Sequence, residues 1–304
     1  MRSASHRVIE QALLSDDELH ELQRAALVNT ENPFLIQQDV QQQLLGERTS
    51  SYAGNGYEFA EHRRYVAGDD MRFINWRSLA RTGKLYRKVF HEERRPQCYF
   101  IVDRRAPMRF GTRHQLKVTC AVRQAIALLY QARQQQLVTA CVVMEDQANW
   151  LKPAQGDTNL HTIIQQLNSP CPPVAFSQPQ VPLDAVLNEL AVRLSPGCII
   201  YILSDFHDLQ SASSGSLYHL AQQHKLVSLH IMDPIEQDLP AASHFQLHDE
   251  YLGTVIDINT GDKLLRRQFA QAMQQRQQQI EQQLKQTGAE YHMLLTDEHG
   301  GRHG

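Results

Sequence analysis

Three residues stand where an α/β fold could do chemistry. Asp103 directly follows the apolar run CYFIV, and Asp205 closes the run CIIYILS together with Ser204. Thr158 opens a helical pattern just after Gly156 and Asp157. In doubly wound sheets, ligands bind beyond the carboxyl ends of the strands, where the strand order reverses. If the two apolar runs are neighbouring central strands, Asp103 and Asp205 face one crevice, and the Thr158 hydroxyl can reach the same edge. Carboxylates and hydroxyls of this kind are the oxygen ligands of a hard divalent cation. A strand-end aspartate is also a possible nucleophile for phosphoryl transfer.

The elements that must position these residues follow from the hydrophobic pattern. From Cys98 onward, short apolar runs alternate with amphipathic segments. Strands are expected at 98–102, 137–144, 198–203, 226–232, 254–258 and 291–295. Helices are expected at 114–134, 158–167, 183–194, 216–224 and 263–286. This alternation predicts an α/β fold with a doubly wound, mostly parallel sheet. Upstream, Ser15 and Glu18 have the spacing of a capping box, and Pro33 suits the first turn of a second helix running through Gln43. The predicted organisation is a helical segment over 1–47, a small α/β appendage over 48–97, the main domain over 98–297 and a polar tail over 298–304.

The appendage has its own chemistry. Between His62 and Lys88 lie Arg63, Arg64, Arg72, Arg77, Arg81, Lys84 and Arg87, opposed only by Asp69 and Asp70. Tyr57, Phe59, Tyr65, Phe73, Trp76 and Tyr86 are interleaved among them. A strand at 57–65, a helix at 71–81 and a strand at 85–91 are expected. Glu58, Arg63, Asp69, Asp70, Trp76, Arg77 and Arg81 form the candidate binding surface of this block. Arginine and aromatic residues are enriched both at protein interfaces and on single-stranded nucleic-acid platforms. The same residues also suit a structural role, with arginines forming ion pairs and covering apolar surface.

The segment from Gly54 to Glu93, and within it the string GDDMRFINWRSLAR, resembles the bacterial domain of unknown function 58 family. The order of strand-terminal Asp103, glycine-flanked Thr158 and strand-terminal Ser204-Asp205 resembles a von Willebrand factor A domain. In that fold the matching positions form a metal-ion-dependent adhesion site. The resemblance spans roughly Leu45 to Leu209. It implies an adaptor or co-chaperone for a MoxR-type AAA+ ATPase, acting on an unknown protein client. The adhesion-site pattern Asp-x-Ser-x-Ser is broken, because the chain reads Asp103-Arg104-Arg105-Ala106-Pro107. Both serine hydroxyls are absent. Asp103, Thr158 and Asp205 alone supply too few ligands for magnesium or manganese. A guanidinium beside them repels a dication and pairs with carboxylates. Arg104 or Arg105 is therefore expected to take the place of the metal, neutralising Asp103 or Asp205.

Other chemistries find little support. The pair Gly54 and Gly56 lacks the third glycine of a dinucleotide fingerprint, and no GxxxxGK[ST], HExxH or GxSxG string occurs. A metal-dependent phosphoryl-transfer or hydrolytic enzyme at Asp103 remains an alternative, as does a nucleic-acid-binding module using the basic-aromatic block. The formal net charge of -3 gives no global attraction to nucleic acid. The five cysteines contain no CxxC pair, and a reducing compartment is expected. The first residues hold no apolar core of signal-peptide length, and no apolar run is long enough to span a bilayer. A cytoplasmic, non-enzymatic interaction protein without a bound cofactor is the expectation.

Overall fold

The computed structural model describes residues 12–28, 57–66, 71, 74–92, 97–172, 180–209, 213–241, 245–249, 254–258 and 260–297. The expected helix through Gln43, Asp69 and Asp70 and the polar tail lie outside the described residues. The chain divides into two compact units, one of residues 38–96 and one of residues 1–37 with 97–304.

The larger unit is built on a six-stranded sheet. Its strands are β3 (Gln97–Asp103), β4 (Val138–Met144), β5 (Ala148–Ala154), β6 (Ile199–Ser204), β7 (Lys225–Met232) and β10 (Glu290–Leu295). Their order is β10-β7-β6-β3-β4-β5. All neighbours are parallel except β5, which runs antiparallel to β4. The sheet is thus mixed α/β and mostly parallel, as the alternating pattern implied. Because β3 lies between β4 and β6, the strand order reverses there, and the crevice opens beside the carboxyl ends of β3 and β6.

Helices cover both faces. These are α1 (Asp16–Val28), α3 (Lys117–Gln134), α4 (Asp157–Leu167), α5 (Leu183–Arg193), α6 (Ser213–Gln223) and α7 (Lys263–Gln286). Alternation along each strand divides its side chains between two cores. Phe100, Val102, Val143, Leu203 and Leu229 pack towards α3 and α4. Ile101, Val142, Ile200 and Ile202 pack towards α5, α6 and the last turns of α7. Register partners Phe100 and Tyr201 stack with ring centroids 5.2 Å apart. Strands buried on both faces read as continuous apolar runs, which is why β3 and β6 were conspicuous in the sequence.

Several expectations change. β5 was not foreseen, because ANWLKPA is half-exposed and holds Lys152 and Pro153. The strand expected at 254–258 exists as β9 (Thr254–Ile258), but it pairs antiparallel with β8 (Phe245–Asp249) and takes no part in the main sheet. The N-terminal capping box is present, with the Ser15 amide donating to Glu18 Oε2 at 2.8 Å and the Glu18 amide donating to Ser15 Oγ at 3.3 Å. Helix α1 belongs with the larger unit, whereas the sequence grouped it with residues 1–47. Leu14 is buried in the core, Asn168 exchanges hydrogen bonds with the Leu14 backbone, and Arg123 pairs with Glu18.

The smaller unit pairs β1 (Tyr57–Arg64) antiparallel with β2 (Tyr86–Glu92), Arg63 facing Arg87 in the register. Its helix α2 spans Trp76–Thr82, five residues later at its start than the hydrophobic pattern suggested. Asn75 sets that start, its side chain accepting from the Ser78 amide at 3.1 Å. Gly83, with φ of 67°, stops the helix in the left-handed region that glycine adopts without strain. Among the described residues, no helix is long and apolar enough to cross a membrane.

Candidate functional site

The carboxyl edge of the sheet gathers acids from three neighbouring strands. Asp103 ends β3, Ser204 ends β6 with Asp205 following it, and Asp233 follows β7. All four side chains are buried or nearly so. Burying a carboxylate without a counter-charge or donors is strongly unfavourable, so the edge must supply partners. It does so in a different way for each acid.

Asp103 is met by Arg105. Arg105 Nε donates to Asp103 Oδ1 at 2.9 Å, and Nη2 donates to Oδ2 at 2.7 Å. The Arg105 amide also donates to Oδ1, and Ser204 Oγ donates to Oδ2 at 2.6 Å. The far side of the same guanidinium reaches Asp208, with Nη2 2.9 Å from Oδ1 and Nη1 on Oδ2. Nη1 also donates to the Val181 carbonyl. Arg105 is thus a planar bridge between two aspartates, an arrangement that a forked guanidinium makes and an ammonium cannot. Burial would favour a neutral Arg105, but the two aspartates override it and raise its pKa further. Burial would raise Asp208 too, yet hydrogen bonding to Arg105 holds it below the usual carboxylate range.

Asp205 is met by Lys117, the first residue of α3. The Nζ donates to Asp205 Oδ2 at 2.9 Å and to Glu236 Oε1 at 2.8 Å. Desolvation pushes the Asp205 carboxyl up, but Lys117 outweighs it and the group sits well below the carboxylate range. The other oxygen, Oδ1, accepts from the His207 amide at 3.1 Å and lies 3.0 Å from His207 Nδ1. Burial lowers His207, and its bond to Asp205 more than restores it, so the imidazole is raised above its ordinary value. Between them, Phe206 is wholly buried with φ of 52°. A bulky residue in the left-handed region is strained. Its amide donates to Ser204 Oγ, and its ring packs edge-on against His230, which hold that geometry in place.

Asp233 is satisfied without any cation. It accepts from the amide and hydroxyl of Thr112, the Ile235 amide and the Thr296 hydroxyl. Burial would raise this group, and the donors lower it instead.

The structure brings Asp103, Arg105 and Ser204 together with Asp205 on the next strand end, and it corrects the placement of two residues. Arg104 points away from the crevice. Its guanidinium donates to the carbonyls of Gln166, Leu167, Ser169 and Pro170 and to Ser169 Oγ, at the end of α4. Successive residues of an extended segment face opposite sides, so only one of the two arginines can enter the site. Thr158 is exposed and stands at the other edge of the sheet. The antiparallel β5 carries the chain back until Ala154 faces Thr139, near the amino end of β4, and α4 starts from there.

Lys117, Asp208, Asp233 and Glu236 were not singled out in the sequence. Lys117 had a usable signal. It falls four residues before Ala121 and eight before Ala125, on the apolar stripe of its helix, where a lysine needs a buried acid. His207, likewise not singled out, joins through Asp205.

One group among the described residues has metal-ligand geometry, comprising Asp103, Asp205 and His207, whose donor atoms lie within 4.8 Å of one another. Those donors do not fit a free dication. Both oxygens of Asp103 are held by Arg105, and an ion would also meet the Lys117 ammonium. Of the signature residues, Glu58 and Arg63 lie on β1, and Trp76, Arg77 and Arg81 are exposed on α2.

The family described as "Protein of unknown function DUF58" matches residues 61–279. The chain is 26% identical over 271 residues to "Uncharacterized protein Rv1480" of Mycobacterium tuberculosis, covering 86% of this chain and 82% of that protein. "Uncharacterized protein Mb1516" of Mycobacterium bovis matches with the same identity and coverage. Among solved structures, a conserved hypothetical protein BatB from Bacteroides thetaiotaomicron aligns with a TM-score of 0.40 and 13% identity, over 64% of this chain and 98% of that one. An aerotolerance-related membrane protein from Bacteroides fragilis aligns with a TM-score of 0.41 and 13% identity, over 66% of this chain and 91% of that one.

Proposed function

We propose that this chain, which belongs to the DUF58 family of proteins of unknown function, is a non-enzymatic protein-interaction module whose strand-end site is a degenerate adhesion site of von Willebrand factor A type. In this reading Arg105 takes the place of the metal. The observation that carries it is the two-sided clamp of buried Arg105 on Asp103 and Asp208. A fixed internal cation leaves the crevice rigid and charge-compensated without an ion. It also counts against the enzyme alternatives, since an aspartate held on both oxygens by a guanidinium and a hydroxyl is a poor nucleophile and a poor metal ligand.

The partner in this reading is a MoxR-type AAA+ ATPase, with a protein client as the third component. The support is the resemblance of the segment from Gly54 to Glu93. The setting is the cytoplasm, which suits five free cysteines that are all buried.

The test is affinity capture of the intact protein from its native lysate, with and without ATP and magnesium, read by mass spectrometry. Enrichment of a MoxR-type ATPase that Asp205→Ala weakens is the expected result. A chain that captures no ATPase but turns over a phosphoester with magnesium, losing that activity in Asp103→Asn, overturns the reading.

A further inference from the structure

The smaller unit shows an unpartnered cationic face. Ile74, just before helix α2, is buried, Ser78 and Leu79 of the helix are half-buried, and Trp76, Arg77, Ala80 and Arg81 are exposed. Arg77 and Arg81 stand one turn apart on the helix, and Lys84, exposed just beyond the Gly83 cap, adds a third cation nearby in the chain. Among the described residues, no carboxylate pairs with any of these three. Like charges four residues apart weaken an isolated helix by a few tenths of a kcal/mol. Trp76 lies beside them at 57% exposure. An exposed tryptophan flanked by arginines has the composition of an interface anchor. The helix itself is firmly placed, capped by Asn75 and Gly83 and tied to β2 by the Asn75 amide on the Tyr86 carbonyl at 2.8 Å.

We propose that this face of α2 receives an acidic segment of a partner protein carrying one large apolar side chain, the acids meeting Arg77, Arg81 and Lys84 and the apolar group packing on Trp76. The inference rests on the interaction-module reading and gives one of its surfaces a chemistry. Charge complementarity selects the acids. The apolar anchor follows from Trp76 and from Val66, Met71 and Leu85, which are also exposed in this unit. A nucleic acid fits less well. Stacking along a strand uses several aromatic platforms, and of the rings in this unit whose side chains are described, Trp76 is exposed while Tyr65 and Tyr86 are half-exposed.

The full chain carries two tryptophans, so Trp150→Phe leaves Trp76 as its only indole. That protein is titrated with a short synthetic Glu/Asp peptide bearing a central Leu, with the same peptide bearing Ser instead, and with a single-stranded oligonucleotide of equal charge. The Leu peptide is expected to shift Trp76 emission and bind at least about tenfold tighter than the Ser peptide, a difference worth about 1.4 kcal/mol. R77E/R81E is expected to abolish the shift while circular dichroism and melting temperature stay unchanged, and Trp76→Ala, followed by fluorescence anisotropy of labelled peptide, to weaken binding severalfold. An unchanged affinity in R77E/R81E overturns the proposal. So does an oligonucleotide that binds tighter than the Leu peptide, or a Leu peptide that does not bind. If the peptide fails while ATPase capture succeeds, only this face is misassigned. If capture fails while the peptide binds, the face stands and the ATPase reading falls.

Discussion

Arg105 and Asp103 are two residues apart in the chain and joined by two parallel hydrogen bonds, at 2.9 and 2.7 Å, with neither side chain more than 2% exposed. A short turn therefore carries its own counter-ion into the sheet edge. Removing one partner of a buried pair leaves an uncompensated charge, at a cost of about 3–5 kcal/mol. Arg105→Met is expected to destabilise the larger unit by this amount in urea melts. Arg105→Lys should recover little, because one ammonium cannot make both bridges. A loss below about 1 kcal/mol would mean that the clamp is only a surface-grade pair.

Lys117 and Asp205 form the second pair, and its test is a double-mutant cycle. Lys117→Met and Asp205→Asn should each be costly alone, while the double variant loses less than their sum. A coupling of about 1–3 kcal/mol is expected for residues in one network. Additive losses would show that Glu236 and His207 satisfy each residue independently.

Divalent ions give the third prediction. Magnesium or manganese is expected to leave the melting temperature of the wild-type chain unchanged, because the guanidinium already occupies the crevice. R105S/P107S restores the Asp-x-Ser-x-Ser pattern and removes the cation, so manganese should raise its melting temperature. A metal-specific rise in the wild type that Asp103→Ala abolishes would contradict the internal-cation reading.

Histidines set the fourth prediction. Burial pushes His230 down to about 4 from an ordinary value near 6.5. The unfolded chain takes up this proton where the folded one does not. The stabilisation is fully present above about pH 6.5 and is lost as pH falls towards 4, by about 3 kcal/mol. His207 acts with the opposite sign. Its raised value stabilises the fold below about pH 6.5, and the gain disappears as pH rises through the folded value. Urea midpoints measured from pH 4 to 8 should fall on the acid side less steeply in His230→Gln. An identical profile in that variant would assign the acid loss to other groups.

The sheet was legible because β3 and β6 are buried on both faces and read as unbroken apolar runs. Asp103 and Asp205 were legible for the same reason, standing where those runs stop. Thr158 was misplaced because its position depends on β5, a half-exposed strand whose direction the local pattern does not encode. The choice between Arg104 and Arg105 was open in the sequence. It turns on which side of an extended segment each faces, a matter of register against β4 and β6. Lys117 escaped notice because a helix-starting lysine is ordinarily solvated, and only the burial of α3 makes it a counter-ion. Asp233 escaped because its donors come from Thr112 and Thr296, far away in the chain.

The antiparallel β5 has a further consequence, for self-association. A parallel sheet that ended on β4 would expose a flat apolar edge, ready to template another chain. β5 closes that side with a strand whose outer residues include exposed Lys152 and Pro153. Proline offers no amide hydrogen to an added strand, and a charged rim disfavours stacking. The strand that was hardest to see in the sequence thus makes this edge of the sheet a poor template for another chain.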